Sequence, residues 1–253
     1  MVTSTSKPNR FESAILQGPE GHFTEAELNG LPEPVKQYFR VAIAPGTPLA
    51  RTAQIRMRGS IKLQRWMPFR ARQILNPHTG YVWSARVAWL ISGADYYADG
   101  QGGMDWKLLG LKQLVHAEGP DVSRAAAARG AAEAVWVPTA VLPRYGVEWT
   151  ADDDHHIRAT WMIDGQPFST MYNLGDDHRI RTTVFDRWGD PDETGTWSVH
   201  PFGGEVTSHD TFDGLTIPSA GRMGWFYGTE RWDEGEFFRF QITDMKLIPN
   251  GLP

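Results

Sequence analysis

From Arg51 onward the chain alternates. In RTAQIRMRGSIKL the apolar residues Ala53, Ile55, Met57, Ile61 and Leu63 take turns with Thr52, Gln54, Arg56, Arg58, Ser60 and Lys62. Successive side chains of a β-strand point to opposite faces, so this pattern is a strand with one buried and one wet face. PFRARQIL, GYVWSARVAWL and GADYYADGQGGMDWKLLGL read as further strands, divided by NPHTG and DGQGG turns. After an interruption near Asp121 the strands resume in GVEWT, HHIRATWMI, PFSTMYNL and HRIRTTVFDRW, then in EVTSHDTF, GRMGWFYGTERW and EFFRFQITDMKLI. Asp164-Gly165 is the clearest hairpin turn among them. Roughly ten to twelve antiparallel strands with no βαβ unit predict a mainly β fold. A sheet that long must curl. The expected architecture is a strongly curved antiparallel sheet, a half-barrel or barrel, with a few short helices, one of them crossing the opening or a wall.

Two stretches break the period of two. Residues 1–23 are polar and punctuated by Pro and Gly, a loose lead-in to a single β-rich domain over 24–253. Helices are expected at about 24–43, where Thr24 and Glu27 form a capping box and Pro32 and Pro34 divide the segment in two. The second half carries Val35, Tyr38 and Phe39 on one face. The other break, at about 121–137, predicts an inserted helix with Asp121 as its N-cap, ended when Pro138 forces Val137 out of the helical region. At about 100° per residue, Arg129, Glu133 and Trp136 share a face with Val122 and Ala126. Ala125, Ala128, Ala132 and Val135 form a neighbouring stripe, small enough to let the helix lie close on a sheet.

Composition removes several classes of function. A net charge of −5 argues against a nucleic-acid surface. No apolar run approaches the roughly 20 residues of a membrane-spanning helix. No apolar leader opens the sequence, so a cytoplasmic location is expected. With no cysteine, disulfides, zinc-thiolate sites and thiol nucleophiles are excluded. Eleven Trp, twelve Phe and seven Tyr favour either a dense aromatic core or a ligand-lined cavity.

The motif R-x-x-x-E-A-V-W-x-P-T-A-x-L-P, beginning at Arg129, resembles the signature of a bacterial family of unknown function. LPEPVKQYFRVAI, GMDWKLLGL, GPDVSR, FDGLTIP, GWFYGTER and GEFFRFQI extend the resemblance over residues 31 to 243. It points to Arg129, Glu133, Trp136, Pro138 and Thr139 as the positions of interest and supplies no reaction. Many relatives in that family carry an N-terminal membrane segment. Its absence at this front end argues against a membrane-linked role.

Among candidate chemistries, Glu133 with Arg129 comes first. A carboxylate on a helix facing an aromatic cavity suits an acid or base, although an arginine partner favours a fixed charge, and a structural ion pair is the competing reading. Arg preceding Glu at i,i+4 is the weaker order on an exposed helix, which points to partial burial. In ADYYADG one of Tyr96 and Tyr97 must face inward; Tyr96 is taken as a catalytic partner and Tyr97 as a ligand contact. Trp83, Trp106, Trp136, Thr139, Arg187 and Trp225 complete the expected ligand-binding set, with Arg187 suited to an anionic group. Asp152 to Asp154 with His155 and His156 read as a polar turn, since adjacent strand residues face apart, and no metal is expected. No G-x-S-x-G elbow, Walker loop or dinucleotide fingerprint occurs, so no cofactor is expected. The partner implied is a small apolar or amphipathic molecule. Either a cofactor-independent lyase, isomerase or hydrolase acts on it, or a non-catalytic carrier holds it. The sequence leans to the enzyme and leaves the oligomeric state unassigned.

Overall fold

The computed structural model describes Phe11, Glu12, Ile15 and residues 21–248. Most of the expected lead-in, 1–23, lies outside the described residues. The order of elements begins with α1 (Glu33–Ala42), then β1 (Ala53–Lys62), β2 (Trp66–Asn76), β3 (Gly80–Val87), β4 (Ile91–Ala98), β5 (Gln101–Leu108) and β6 (Lys112–Glu118). Next come α2 (Pro120–Ala132), β7 (Glu148–Ala151), β8 (His156–Ile163), β9 (Gln166–Leu174) and β10 (Ile180–Gly189). The chain closes with β11 (Ser198–Phe212), β12 (Leu215–Trp225), the one-turn α3 (Trp232–Gly235) and β13 (Glu236–Leu247).

All thirteen strands form one antiparallel sheet in the order β6-β5-β4-β3-β2-β1-β13-β12-β11-β10-β9-β8-β7. Each strand pairs with its chain neighbour except at the middle, where β1 pairs with β13, and in the gap between β6 and β7. The sheet is not closed, because β6 and β7 are its two edges. Strand β6 escapes sequence reading because its exposed edge residues lack an apolar alternation.

Curvature follows from what α2 touches. The helix packs against β5 and β10, the second and tenth strands of the sheet order. Eight steps at about 4.8 Å would separate them by about 38 Å in a flat sheet. A helix is only about 10–12 Å across. The sheet therefore wraps around α2. Tyr97 on β4 also donates a hydrogen bond to Asp164 Oδ2, in the β8–β9 turn, across the mouth of the wrap. That turn is Asp164-Gly165, with φ of 47° and 75°, the left-handed pair a two-residue hairpin requires.

Helix α1 buries Val35, Tyr38, Phe39 and Ala42, the face its spacing predicts. Preceding it, Thr24 begins only a short 3-10 turn over Glu25–Leu28 and makes no side-chain cap, so the expected capping box does not form. Asp121 is likewise inside α2 and not its N-cap, a position held by Gly119. Its carboxylate instead accepts from Trp188 Nε1 at 2.8 Å, tying the helix to β10. The helix comes close to the sheet at Gly102 of β5, where a Cβ would lie 2.7 Å from that of Ala126 and 2.9 Å from Ser123 Cα. Of the expected stripe, Ala132 and Val135 are buried while Ala125 and Ala128 are only half-buried, and Ala126, Gly130 and Ala131 complete the buried face.

Candidate functional site

On the concave face inward aromatic residues stack in two runs. Phe69, Trp83, Trp106 and Phe238 form one, with ring centroids 5.0 to 6.1 Å apart. Trp161, Phe168, Phe185, Phe202 and Trp225 form the other, crossing five strands at 4.8 to 5.4 Å. These are the offset and edge-on geometries that aromatic rings favour. Most of the expected hollow is therefore filled by rings and by α2.

A polar island sits where α2 crosses the first run. Arg129 Nε donates to Glu133 Oε1 at 3.0 Å and its Nη1 to Asp95 Oδ2 at 2.5 Å. Trp106 Nε1 donates to Asp95 Oδ1 at 2.8 Å, and Gln73 Nε2 donates to Glu133 Oε2. The guanidinium lies 4.8 Å from the Tyr81 ring centre and 5.2 Å from that of Trp83. Burial works against its charge, but Tyr81, Glu133 and Asp95 outweigh that and hold Arg129 above its ordinary pKa. Both oxygens of Glu133 are occupied. The pair anticipated from its i,i+4 spacing exists, extended by Asp95 and Gln73, which no local pattern reveals.

Arg187 is different. It projects inward from β10 with its guanidinium 4.5 Å from the Phe202 ring centre and 4.8 Å from that of Trp225. Its Nε is sealed from solvent with no hydrogen-bond partner, and no carboxylate pairs with it among the described residues. Burial, then the nearby positive charge of Arg129, push its pKa down to about 10. A cation is thus held in an aromatic wall with no carboxylate in direct contact, Tyr81, Glu133 and Asp95 of the polar island opposing the fall in its pKa only from a distance.

A groove of about 1280 Å³ runs between the N-terminal half of α2 and strands β8–β10. Ala127 and Ala128 line one side; Ile163, Phe168 and Phe185 line the other, with Tyr97, Arg124 and Trp188 at its margins. Arg124 stacks on Trp188 at 4.0 Å. Phe185 lies two residues from Arg187 along the same face of β10, although Arg187 itself does not line the groove.

The other expected site residues divide. Tyr97 lines the groove, and Trp225 backs Arg187. Trp83 and Trp106 pack around the polar island. Tyr96 faces the opposite side of the sheet, stacked on Phe11 with its hydroxyl bonded to Glu118, and cannot assist Glu133. Trp136 leaves the Arg129 face because the chain tightens into a 3-10 turn at Glu133–Trp136. It is buried, donating to Pro218 O at 3.1 Å. Thr139 is fully buried and donates to Ala50 O at 2.6 Å. Both residues anchor the segment after α2; neither lines open space.

The sequence matches the family described as "Family of unknown function (DUF6544)" over residues 21–240, and the chain belongs to that family. No curated protein matches it. Among solved structures it is similar to a LolA superfamily protein of Nitrosomonas europaea, at TM-score 0.41 and 10% identity, covering 81% of this chain and 87% of that one. A domain described as an outer membrane lipoprotein-sorting protein, from Vibrio parahaemolyticus, is similar at TM-score 0.39 and 9% identity, covering 80% and 87%. The expectation of a cytoplasmic location is corrected here. It rested only on the residues with which the sequence opens, and the second of these structures is described as that of an outer membrane lipoprotein-sorting protein domain.

Proposed function

We propose that this protein binds an amphiphilic organic molecule, its apolar body in the groove beside α2 and its acidic group at Arg187, and that it holds this molecule without transforming it. The observation that carries the reading is Arg187: an inward arginine with no carboxylate, flanked by Phe202 and Trp225. A bound carboxylate or phosphate would supply the missing partner through bidentate hydrogen bonds. Glu133, the first choice for an acid or base, is saturated by Arg129 and Gln73, which suits a structural clamp and weakens the enzyme reading. The aromatic ladder supplies a rigid apolar wall at little entropic cost.

Fluorescence titration of delipidated protein with cis-parinaric acid and with its methyl ester tests this. A charged hydrogen bond contributes about 1.5–3 kcal/mol, so the acid should bind roughly tenfold to a hundredfold more tightly than the ester. Arg187→Met should abolish that difference. Equal affinities for acid and ester in the unaltered protein would refute the assignment.

A further inference from the structure

The hairpin turns at one end of the sheet carry side chains that a water-facing turn does not need. In an up-and-down meander the β1–β2, β3–β4 and β5–β6 turns emerge at the same end. Leu63 is exposed in the first, Trp89 and Leu90 in the second, and Leu109 and Leu111 in the third, with Trp89 at 71% and Leu111 at 87%. Leu109 N–H donates to Leu90 O at 2.7 Å, so two of the tips form one surface. Leu114 and Val115 on β6 continue it, and only Met162 and Val199 among the described large exposed apolar residues lie elsewhere. Ala88 and Trp89 have φ of 45° and 66°, left-handed values at which Asn-Gly would be relaxed. The fold therefore holds an indole in solvent on a conformation that bulky residues rarely adopt.

The convex face next to these tips is basic. Arg56, Arg58, Arg70, Arg72, Arg86 and Arg239 are exposed on it, and no carboxylate lines its two shallow depressions. Arg58 is directly opposite Arg70, and Arg70 opposite Arg86. Like charges in that register repel. Arg72 has Glu12 at 2.8 Å, Arg56 has Asp244 at 3.9 Å and Arg239 has Glu236 at 2.5 Å. Arg58, Arg70 and Arg86 have no carboxylate partner among the described residues; Arg70 instead lies 5.4 Å from the Trp89 ring centre. In a chain of net charge −5, this row of cations beside apolar tips is a local reversal.

We propose that this end of the sheet docks onto the surface of a bilayer containing acidic phospholipids, with Trp89, Leu109 and Leu111 in the interfacial layer and Arg58, Arg70 and Arg86 on lipid phosphates. Indole rings settle at that depth, and arginine meets phosphate bidentately. The attraction is to a surface and needs no spanning helix. It does not depend on what the groove holds.

Cosedimentation with sucrose-loaded vesicles of phosphatidylcholine, with and without phosphatidylglycerol, tests it. The full chain should bind the acidic vesicles about tenfold or more tightly than the neutral ones, and lose that preference at high salt. Two variants, Trp89→Ser/Leu109→Ser/Leu111→Ser and Arg58→Gln/Arg70→Gln/Arg86→Gln, should each lose about tenfold or more while melting as the parent does. Absence of binding to acidic vesicles at low salt would overturn the proposal, as would unchanged binding by either variant. So would a parent protein that sediments as a dimer and becomes monomeric in the serine variant, which would assign the tips to self-association.

Discussion

Replacing Arg187 by Met should make the ligand-free protein more stable. The guanidinium is pushed down to about 10, a fall of about 2.5 pH units, chiefly by burial. At about 1.4 kcal/mol per pH unit, keeping it charged at neutral pH costs the folded state about 3 kcal/mol. The sign follows from proton counting. Between pH of about 10 and the arginine's unfolded pKa the unfolded chain holds the proton more firmly, so this penalty is complete below that window and fades as pH rises through it. Opposing it are the contacts with Phe202 and Trp225, worth about 0.5–2 kcal/mol in similar settings. Methionine keeps an apolar stem and a sulfur that also packs well on rings. The balance is a gain of about 1–2 kcal/mol, which in a protein of this size raises Tm by about 3–6 °C. Thermal unfolding by circular dichroism at pH 7, on delipidated protein, measures it. A Tm lower than the parent's by more than about 3 °C would show that Arg187 has a stabilising partner, and the reasoning that proposes it as an anion-binding residue would fail.

Asp95→Asn should act in the opposite direction, since it strips one carboxylate from Arg129 and leaves a buried cation half compensated; a loss of about 2–4 kcal/mol, read as a Tm lower by about 5–10 °C, is expected. Stability should also decline with acid. Burial holds His78 below the ordinary histidine value, with Arg51 adding to the effect and the 2.7 Å contact to Ala140 O opposing it. His209 is lowered by burial first and then by Arg179 and Arg181. Both rings stay neutral in the fold at pH values where the unfolded chain takes up protons, so their contribution is complete above about pH 6.5 and is lost as pH falls toward their folded values. Tm measured from pH 7.5 to 5 should therefore drop, and His78→Gln, which still offers an N–H to Ala140 O, should flatten the curve.

Much of the architecture was legible because strand period and turn chemistry are local. The alternation from Arg51, the face of α1 and the Asp164-Gly165 turn are each decided within a few residues. The polar island was half legible. Arg129 and Glu133 are one helical turn apart, but Asp95 and Gln73 reach them only because the sheet wraps, and no short-range pattern encodes that. Period also fixes that Tyr96 and Tyr97 face apart without saying which side is the inside; the burial of Tyr96 beneath Phe11 and Ile15 inverted the expected role. Trp136 was misplaced by extending a 100° step through a segment that tightens to a 3-10 turn at Glu133.

The seam between β1 and β13 carries a consequence for biogenesis. Every other pairing joins strands adjacent in the chain, so each half of the sheet can zip up as the ribosome releases it. The central ladder, Ala53 against Leu247 through Ile61 against Phe238, must wait until the last strand has left the exit tunnel. Until then the two halves are held together by what α1, α2 and the segment after it can grip and by the Tyr97–Asp164 bond, with the aromatic face of each open to its neighbours in the crowd.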